Sequence, residues 1–159
     1  MKLRIISVGH KMPAWVQTAC DEYIKRMPRE CVVSIMEVKP EKRAAGNSTQ
    51  NIQRLEAKRI LELAGADYLI ALDERGQQPT TLMLAEKFKS WLDGTATLGR
   101  DIALVIGGAD GLDASIKERA DWQWSLSNLT MPHAFVRVML CEQLYRAMSV
   151  IQNHPYHRE

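Results

Sequence analysis

At 159 residues, with 46% hydrophobic and 25% charged residues, the chain has the size and make-up of one ordinary globular domain with a real core. A formal net charge of +2 does not announce a nucleic-acid binder, so any contact with a polyanion must come from a local basic patch. Cys20, Cys31 and Cys141 lie far apart in apolar stretches, with no CxxC pair and no Cys/His spacing suited to zinc, and read as buried thiols in a reducing compartment. No stretch approaches the roughly 20 apolar residues of a membrane span, and the N-terminal apolar run is too short for a signal peptide. A cytoplasmic protein without membrane or metal is therefore expected.

In chain order, Leu3 to Gly9 reads as a strand ending in glycine. From Pro13 to Met27, Trp15, Val16, Ala19, Cys20, Tyr23, Ile24 and Met27 recur at helical spacing, with Pro13 suited to a first turn. Cys31 to Val38 reads as a second strand. Lys39 to Gln50, with Pro40, Gly46, Asn47 and Ser48, reads as a long exposed loop. A helix is expected from about Asn51 to Leu63, stopped by Gly65. Asp67 to Asp73 makes a third strand closed by Gly76, and Thr80 or Thr81 can cap a helix reaching Trp91. Asp101 to Ile106 is continuously apolar after its first residue, as expected of a strand covered on both faces. The turn Gly107-Gly108-Ala109-Asp110-Gly111 ends it, and a short helix follows to about Ala120. Trp124 to Ser127 reads as a brief fifth strand. Leu129 to His133 turns into a long helix from about Pro132 to Ile151. The alternation predicts one α/β domain over residues 1–159, a mainly parallel sheet flanked by helices.

In open α/β sheets, ligands sit beyond the carboxyl ends of the strands. Three such ends are chemically distinctive: Leu72-Asp73-Glu74, Ile106-Gly107-Gly108 and Leu126 to Met131. The paired glycines suit either close approach of a ligand to the backbone or a tight strand-to-helix turn without one. On the first reading, Gly108→Val abolishes ligand binding and leaves the chain folded. No GxxxxGK[ST] is present, which excludes a P-loop. Ile106 stands where GxGxxG needs its first glycine, and the turn follows a late strand, so a nicotinamide site is disfavoured. No serine lies in GxSxG. His133 at a helix start can be a base or a structural residue. His154 and His157 lack the carboxylates that would complete a metal site. What remains is a backbone-lined pocket with few ionisable groups, which suits a cofactor carrying its own electrophile, such as the sulfonium of S-adenosylmethionine.

The glycine turn, the stretch Trp124 to His133, the helix pieces Val136-Arg137-Val138 and Glu142 to Ala147, and the ending Asn153-His154-Pro155-Tyr156-His157 together resemble the RlmH family. Its members are the smallest of the SPOUT class of knotted methyltransferases. Val8 to Pro13 and Ala71-Leu72-Asp73 match as well, so the resemblance covers essentially the whole chain. It implies an S-adenosylmethionine-dependent methyltransferase acting on N3 of a pseudouridine in the helix-69 loop of 23S ribosomal RNA, within the assembled ribosome. It also implies a C-terminal trefoil knot, which general topology rules would argue against, and a homodimer in which one subunit contributes to the other's pocket. Leu72, Gly108, Leu126, Ser127, Asn128, Leu129, Thr130 and Met131 match the family's cofactor contacts. His154, Tyr156 and His157 match the tail that helps form the RNA site and are the candidate catalytic residues. The roles of Arg158 and Glu159, beyond that motif, are open.

Other features carry two readings each. Arg137 and Arg146 can meet RNA phosphate or pair with Glu142 and other carboxylates. Lys39, Lys42, Arg43, Arg54, Lys58 and Arg59 form a basic-rich stretch, diluted by Glu41 and Glu56, that is a solvated face or an RNA surface. Trp122 and Trp124 can pack in a core or dimer contact, which is favoured, or stack on a base. Phe135, Val138, Met139, Leu144, Met148 and Ile151 make the last helix apolar enough for part of it to meet a second subunit. The tail has no apolar stripe, so its loss is expected to cost little folding energy. A non-catalytic ribosome-binding or assembly factor on the same fold is the rival function.

Overall fold

The structure, a computed structural model, describes residues 1–9, 11–43 and 46–158. His10, the two residues 44–45 of the long loop, and Glu159 lie outside the described residues. Five strands, β1 (Lys2–Val8), β2 (Val32–Val38), β3 (Tyr68–Gln77), β4 (Ile102–Ile106) and β5 (Trp122–Trp124), form one sheet in the order β2-β1-β4-β3-β5. Every neighbouring pair is parallel, as the strand–helix alternation predicts.

The period-2 alternation of side chains sorts the core into two layers. Leu3 and Ile5 of β1, Ile70 of β3, and Ile102, Leu104 and Ile106 of β4 point into one layer. There they meet α1 (Ala14–Ile24), α3 (Thr81–Leu92) and α5 (His133–Ile151). Ile6, Val8, Leu69, Ala71, Ala103 and Val105 point into the other, against α2 (Thr49–Ala64) and α4 (Ala114–Arg119). All five residues of β4 are buried, which is why that strand is apolar at every position.

Several boundaries move, each for a local reason. α1 begins after Pro13, which serves as its N-cap, and stops at Ile24 rather than Met27. α2 starts two residues earlier than expected because the Ser48 hydroxyl accepts from the Asn51 N–H at 3.1 Å. Gly65 does end it, with φ +53°. Thr80 caps α3, accepting from Met83 N–H at 3.2 Å.

β3 and β5 are corrections of substance. Gly76, read as a stop, lies inside β3. A Cβ there would stand 2.7 Å from the Gln123 and Trp124 backbone, so only glycine lets β3 pass so close to β5 after the register break between Leu72 and Gln77. The fifth strand occupies Trp122–Trp124, not Trp124 to Ser127. Trp122 and Trp124 are buried and stack at 5.4 Å and 14°, which supports their core reading and removes them as base-stacking surfaces. Among the described residues, no helix is long and apolar enough to cross a membrane. Cys20, Cys31 and Cys141 are all buried free thiols, and burial pushes Cys31 up to about 11.

Candidate active site

The three distinctive strand ends meet in one cavity of about 700 Å³, bounded by Leu72-Asp73-Glu74, Ile106 to Leu112, Trp124 to Ser127, Leu129 to His133, and Val136. That volume suits a drug-sized cofactor. Of the eight expected cofactor residues, Leu72, Gly108, Leu126, Ser127, Leu129, Thr130 and Met131 line it. Asn128 does not, but its side-chain oxygen accepts from Gln78 at 2.7 Å. Asn128 therefore holds the wall from outside.

Both irregular walls are fixed by short-range polar ties. In the loop after β5, buried Ser125 donates from its backbone to the Gln77 carbonyl at 2.8 Å, and its hydroxyl donates to the Ser127 carbonyl at 3.1 Å. The Ser127 hydroxyl in turn accepts from Leu129 N–H at 3.0 Å. In the other wall, Gly111 has φ +80°, and its N–H donates to the Gly108 carbonyl at 3.0 Å. A Cβ on Gly107 would come within 2.9 Å of the Gly111 backbone. A Cβ on Gly108 would meet Val8 at 3.0 Å and Glu56 at 3.6 Å. The missing side chain at 108 thus faces the packed interior behind the wall. Gly108→Val would strain that packing, which corrects the expectation of a mutant with intact folding.

Charge in the cavity is acidic and largely compensated. Asp73 pairs with Lys117 at 3.1 Å and Asp110 with Arg43 at 2.6 Å. Among the described residues no cluster of His, Cys, Asp or Glu could hold a metal. The residues present fit the expected cofactor: aliphatic walls from Leu72, Ile106 and Leu126, and exposed backbone groups at a glycine turn and a serine loop. Asp73, Glu74, Trp124, His133 and Val136 complete the lining. Asp73 and Glu74 belong to a strand end already singled out in the sequence and His133 to the helix start, whereas Trp124 and Val136 had no cofactor role assigned.

The tail is elsewhere. α5 starts at the cavity with His133 and Val136. Its 19 residues span about 28 Å at 1.5 Å per residue, so His154, Tyr156 and His157 sit at the opposite end. Pro155–His157 form a short 3₁₀ turn, and the His154 ring nitrogen accepts from Tyr156 N–H at 3.2 Å. The Tyr156 ring lies 4.7 Å from Tyr145 and 6.5 Å from Tyr23, and its hydroxyl donates to Glu142 at 2.9 Å. Burial first, then Tyr23 and Glu142, push its ionisation well above the usual phenol range, so it remains a neutral donor. The tail is therefore docked, which corrects the expectation that it is energetically idle. His157 Nδ1 is buried with no hydrogen-bond partner among the described residues.

Arg137 is the clearest correction. It is 2% exposed. Its guanidinium donates to Ser7 Oγ at 2.9 Å and the Gly9 carbonyl at 3.1 Å, and pairs with Glu37 at 3.2 Å. A group enclosed this way does not meet a phosphate. Arg146 takes the carboxylate alternative, pairing with Glu142 at 2.6 Å and lying 5.1 Å from the Tyr156 ring centre. In the basic stretch, Arg43, Arg54 and Arg59 are engaged by Asp110, Asn51 and Glu41.

A family model described as "Predicted SPOUT methyltransferase" matches residues 1–157. The chain belongs to the SPOUT methyltransferase family. Within that family it is 67% identical, over 100% of both chains, to a protein of Methylobacillus flagellatus named "Ribosomal RNA large subunit methyltransferase H". A protein of the same name from Dechloromonas aromatica is 49% identical over 100% of this chain and 99% of its own. Among solved structures, a probable methyltransferase from Bordetella pertussis superposes with TM-score 0.55 at 17% identity, covering 92% of this chain and 95% of that one. A probable methylase family protein from Haemophilus influenzae gives 0.53 at 15%, covering 99% and 70%. At such identities these two speak for the fold alone.

Proposed function

We propose that this protein is an S-adenosylmethionine-dependent methyltransferase that modifies N3 of a pseudouridine in the helix-69 loop of 23S ribosomal RNA. It works as one cytoplasmic domain on the assembled ribosome. The observation that carries the reading is the full-length 67% identity to a large-subunit ribosomal RNA methyltransferase, joined to a cavity that brings seven of the eight expected cofactor residues together. S-adenosylmethionine would supply the methyl group and its sulfonium leaving group. Gly107 to Gly111, Ser125 to Ser127 and Leu129 to Met131 would hold the adenosyl and methionine parts through backbone groups, and Leu72, Ile106 and Leu126 would exclude water. Catalysis of this kind rests on in-line placement of the reacting atoms more than on a strong base.

The same geometry supports a homodimer. A tail about 28 Å from its own cavity can serve chemistry only at another subunit's cavity. Trp15 and Phe135, half exposed and 5.3 Å apart, supply apolar surface at the cavity end of α5. The trefoil knot is part of this reading, with the C-terminal segment threaded to form the serine loop and α5.

The test is transfer of labelled methyl from S-adenosylmethionine to ribosomes lacking the modification, with mass spectrometry of helix 69. Label on the N3 position of one pseudouridine is the expected result. Ribosome binding without transfer would establish the rival, a non-catalytic assembly factor.

A further inference from the structure

The glycine turn that walls the cavity is held less by the sheet than by one helix. Gln53, Glu56 and Arg59, spaced by three on α2, share a face. Gln53 donates to the Asp110 carbonyl. Arg59 donates to the Lys39 carbonyl at 3.0 Å and pairs with Glu41 at 2.6 Å. Between them Glu56, 5% exposed, accepts the Glu41 N–H at 3.0 Å. The segment so held reaches on to Arg43, which pairs with Asp110 in the turn. The other Glu56 oxygen stands 3.6 Å from where a Cβ on Gly108 would be, directly behind the wall.

A buried carboxyl is a costly choice for a filler of that space, since an apolar residue would pack without desolvation. Burial pushes this carboxyl up from its ordinary range, with Asp110 and Glu41 adding and the Glu41 N–H and Arg59 opposing. What the carboxyl provides and an aliphatic side chain cannot is an acceptor for the Glu41 N–H at the back of Gly108. We propose that Glu56 is a positioning residue for the cofactor, tying the Lys39–Arg43 segment to α2 and so fixing the Gly107–Gly111 turn without touching the cofactor itself. The inference rests on the cofactor reading above.

The experiment uses the full-length chain and three variants, Glu56→Ala, Glu56→Gln and Arg43→Ala. S-adenosylhomocysteine affinity is measured by calorimetry, and kcat on ribosomes at saturating S-adenosylmethionine. Glu56→Ala should weaken binding by about ten-fold, because a displaced wall misplaces every contact it carries, with kcat at saturation changed by less than about two-fold. Glu56→Gln keeps the shape and an acceptor for the Glu41 N–H, and should bind within about two-fold of the parent. Arg43→Ala removes an exposed pair and should cost about three-fold. Parent-like affinity in a folded Glu56→Ala, or equal damage in Glu56→Gln, overturns the inference. If Glu56→Ala does not fold, unchanged affinity in Arg43→Ala overturns it instead. A parent protein that binds no S-adenosylhomocysteine would overturn the cofactor reading itself, and is told apart by that first titration.

Discussion

The two ends of α5 are built by different physics. At the start, Leu126 to Met131 and Gly107 to Gly111 enclose a cavity with backbone groups, and small side chains tie loop to loop. At the far end, the tail is held by large rings and one carboxylate: Tyr156 on Tyr145 and Tyr23, with its hydroxyl on Glu142. The first arrangement offers a ligand many weak directional groups. The second offers almost none to its own chain's cavity, and leaves a histidine nitrogen unpaired. On the proposed reading, binding of the cofactor and recognition of the RNA are separable within one subunit and brought together by a second.

The sharpest way to break that comparison is to remove residues 153–159. Methyl transfer to ribosomes should fall by about 100-fold or more, with S-adenosylhomocysteine affinity within about three-fold of the parent. Loss of the Tyr156 packing should lower stability by about 1–3 kcal/mol, which chemical denaturation will show. Near-parental transfer by the truncated protein would make the tail a structural cap only. Cofactor affinity lost in parallel with transfer would place the tail at its own chain's cavity.

Arg137 gives the next largest effect. Replacing it with Met keeps much of the stem packing but strands the Ser7 hydroxyl and the Gly9 carbonyl. The Glu37 carboxyl is 43% exposed, so the ion pair itself contributes little. The two lost hydrogen bonds should cost about 2–3 kcal/mol together. The salt dependence of ribosome binding should not change, since no phosphate contact is lost. A slope reduced by about one in log–log form, with stability intact, would return Arg137 to the RNA surface.

How much of this was legible in the sequence differs between the same two regions. The cavity was readable because strand ends followed by glycines or serines are local signals, and three of them coincide in an open parallel sheet. Period-2 runs placed β1 and β4 closely. Gly76 misled because a glycine can end a strand or permit a close approach, and only the Gln123–Trp124 backbone decides between them. The docking of Tyr156 and the enclosure of Arg137 were not readable at all. Their partners lie on α1 and α5 for the one, and on β1, β2 and Gly9 just after β1 for the other, as far as 130 residues away. The knot entered only through the family resemblance.

Gly108→Ala probes the cavity end alone. Its Cβ would stand 3.0 Å from Val8 Cγ1 and 3.6 Å from Glu56, so either the Val8 side chain or the turn must give by a few tenths of an ångström, and a shift of the turn is the expected outcome. Stability should fall by about 1 kcal/mol, and S-adenosylhomocysteine affinity by about ten-fold. Unchanged affinity would show that the turn does not bear on the cofactor.

Tyr156→Phe tests which part of the tail's attachment matters. The ring contacts with Tyr145 and Tyr23 survive the change, and only the 2.9 Å hydrogen bond to Glu142 is lost. Glu142 keeps Arg146 as a partner at 2.6 Å, so its carboxylate is not stranded. The cost should therefore be near the low end for a hydrogen bond to a charged group, about 1 kcal/mol. The hydroxyl is committed to Glu142 and burial pushes its ionisation up, so it is not expected to take the N3 proton. Methyl transfer by Tyr156→Phe should stay within about three-fold of the parent, while Tyr156→Ala, which also removes the ring, should lose about as much activity as the full tail deletion. A collapse of transfer in the phenylalanine variant, at unchanged cofactor affinity, would instead assign the hydroxyl a direct part in the reaction and require the tail to leave Glu142 when the ribosome binds.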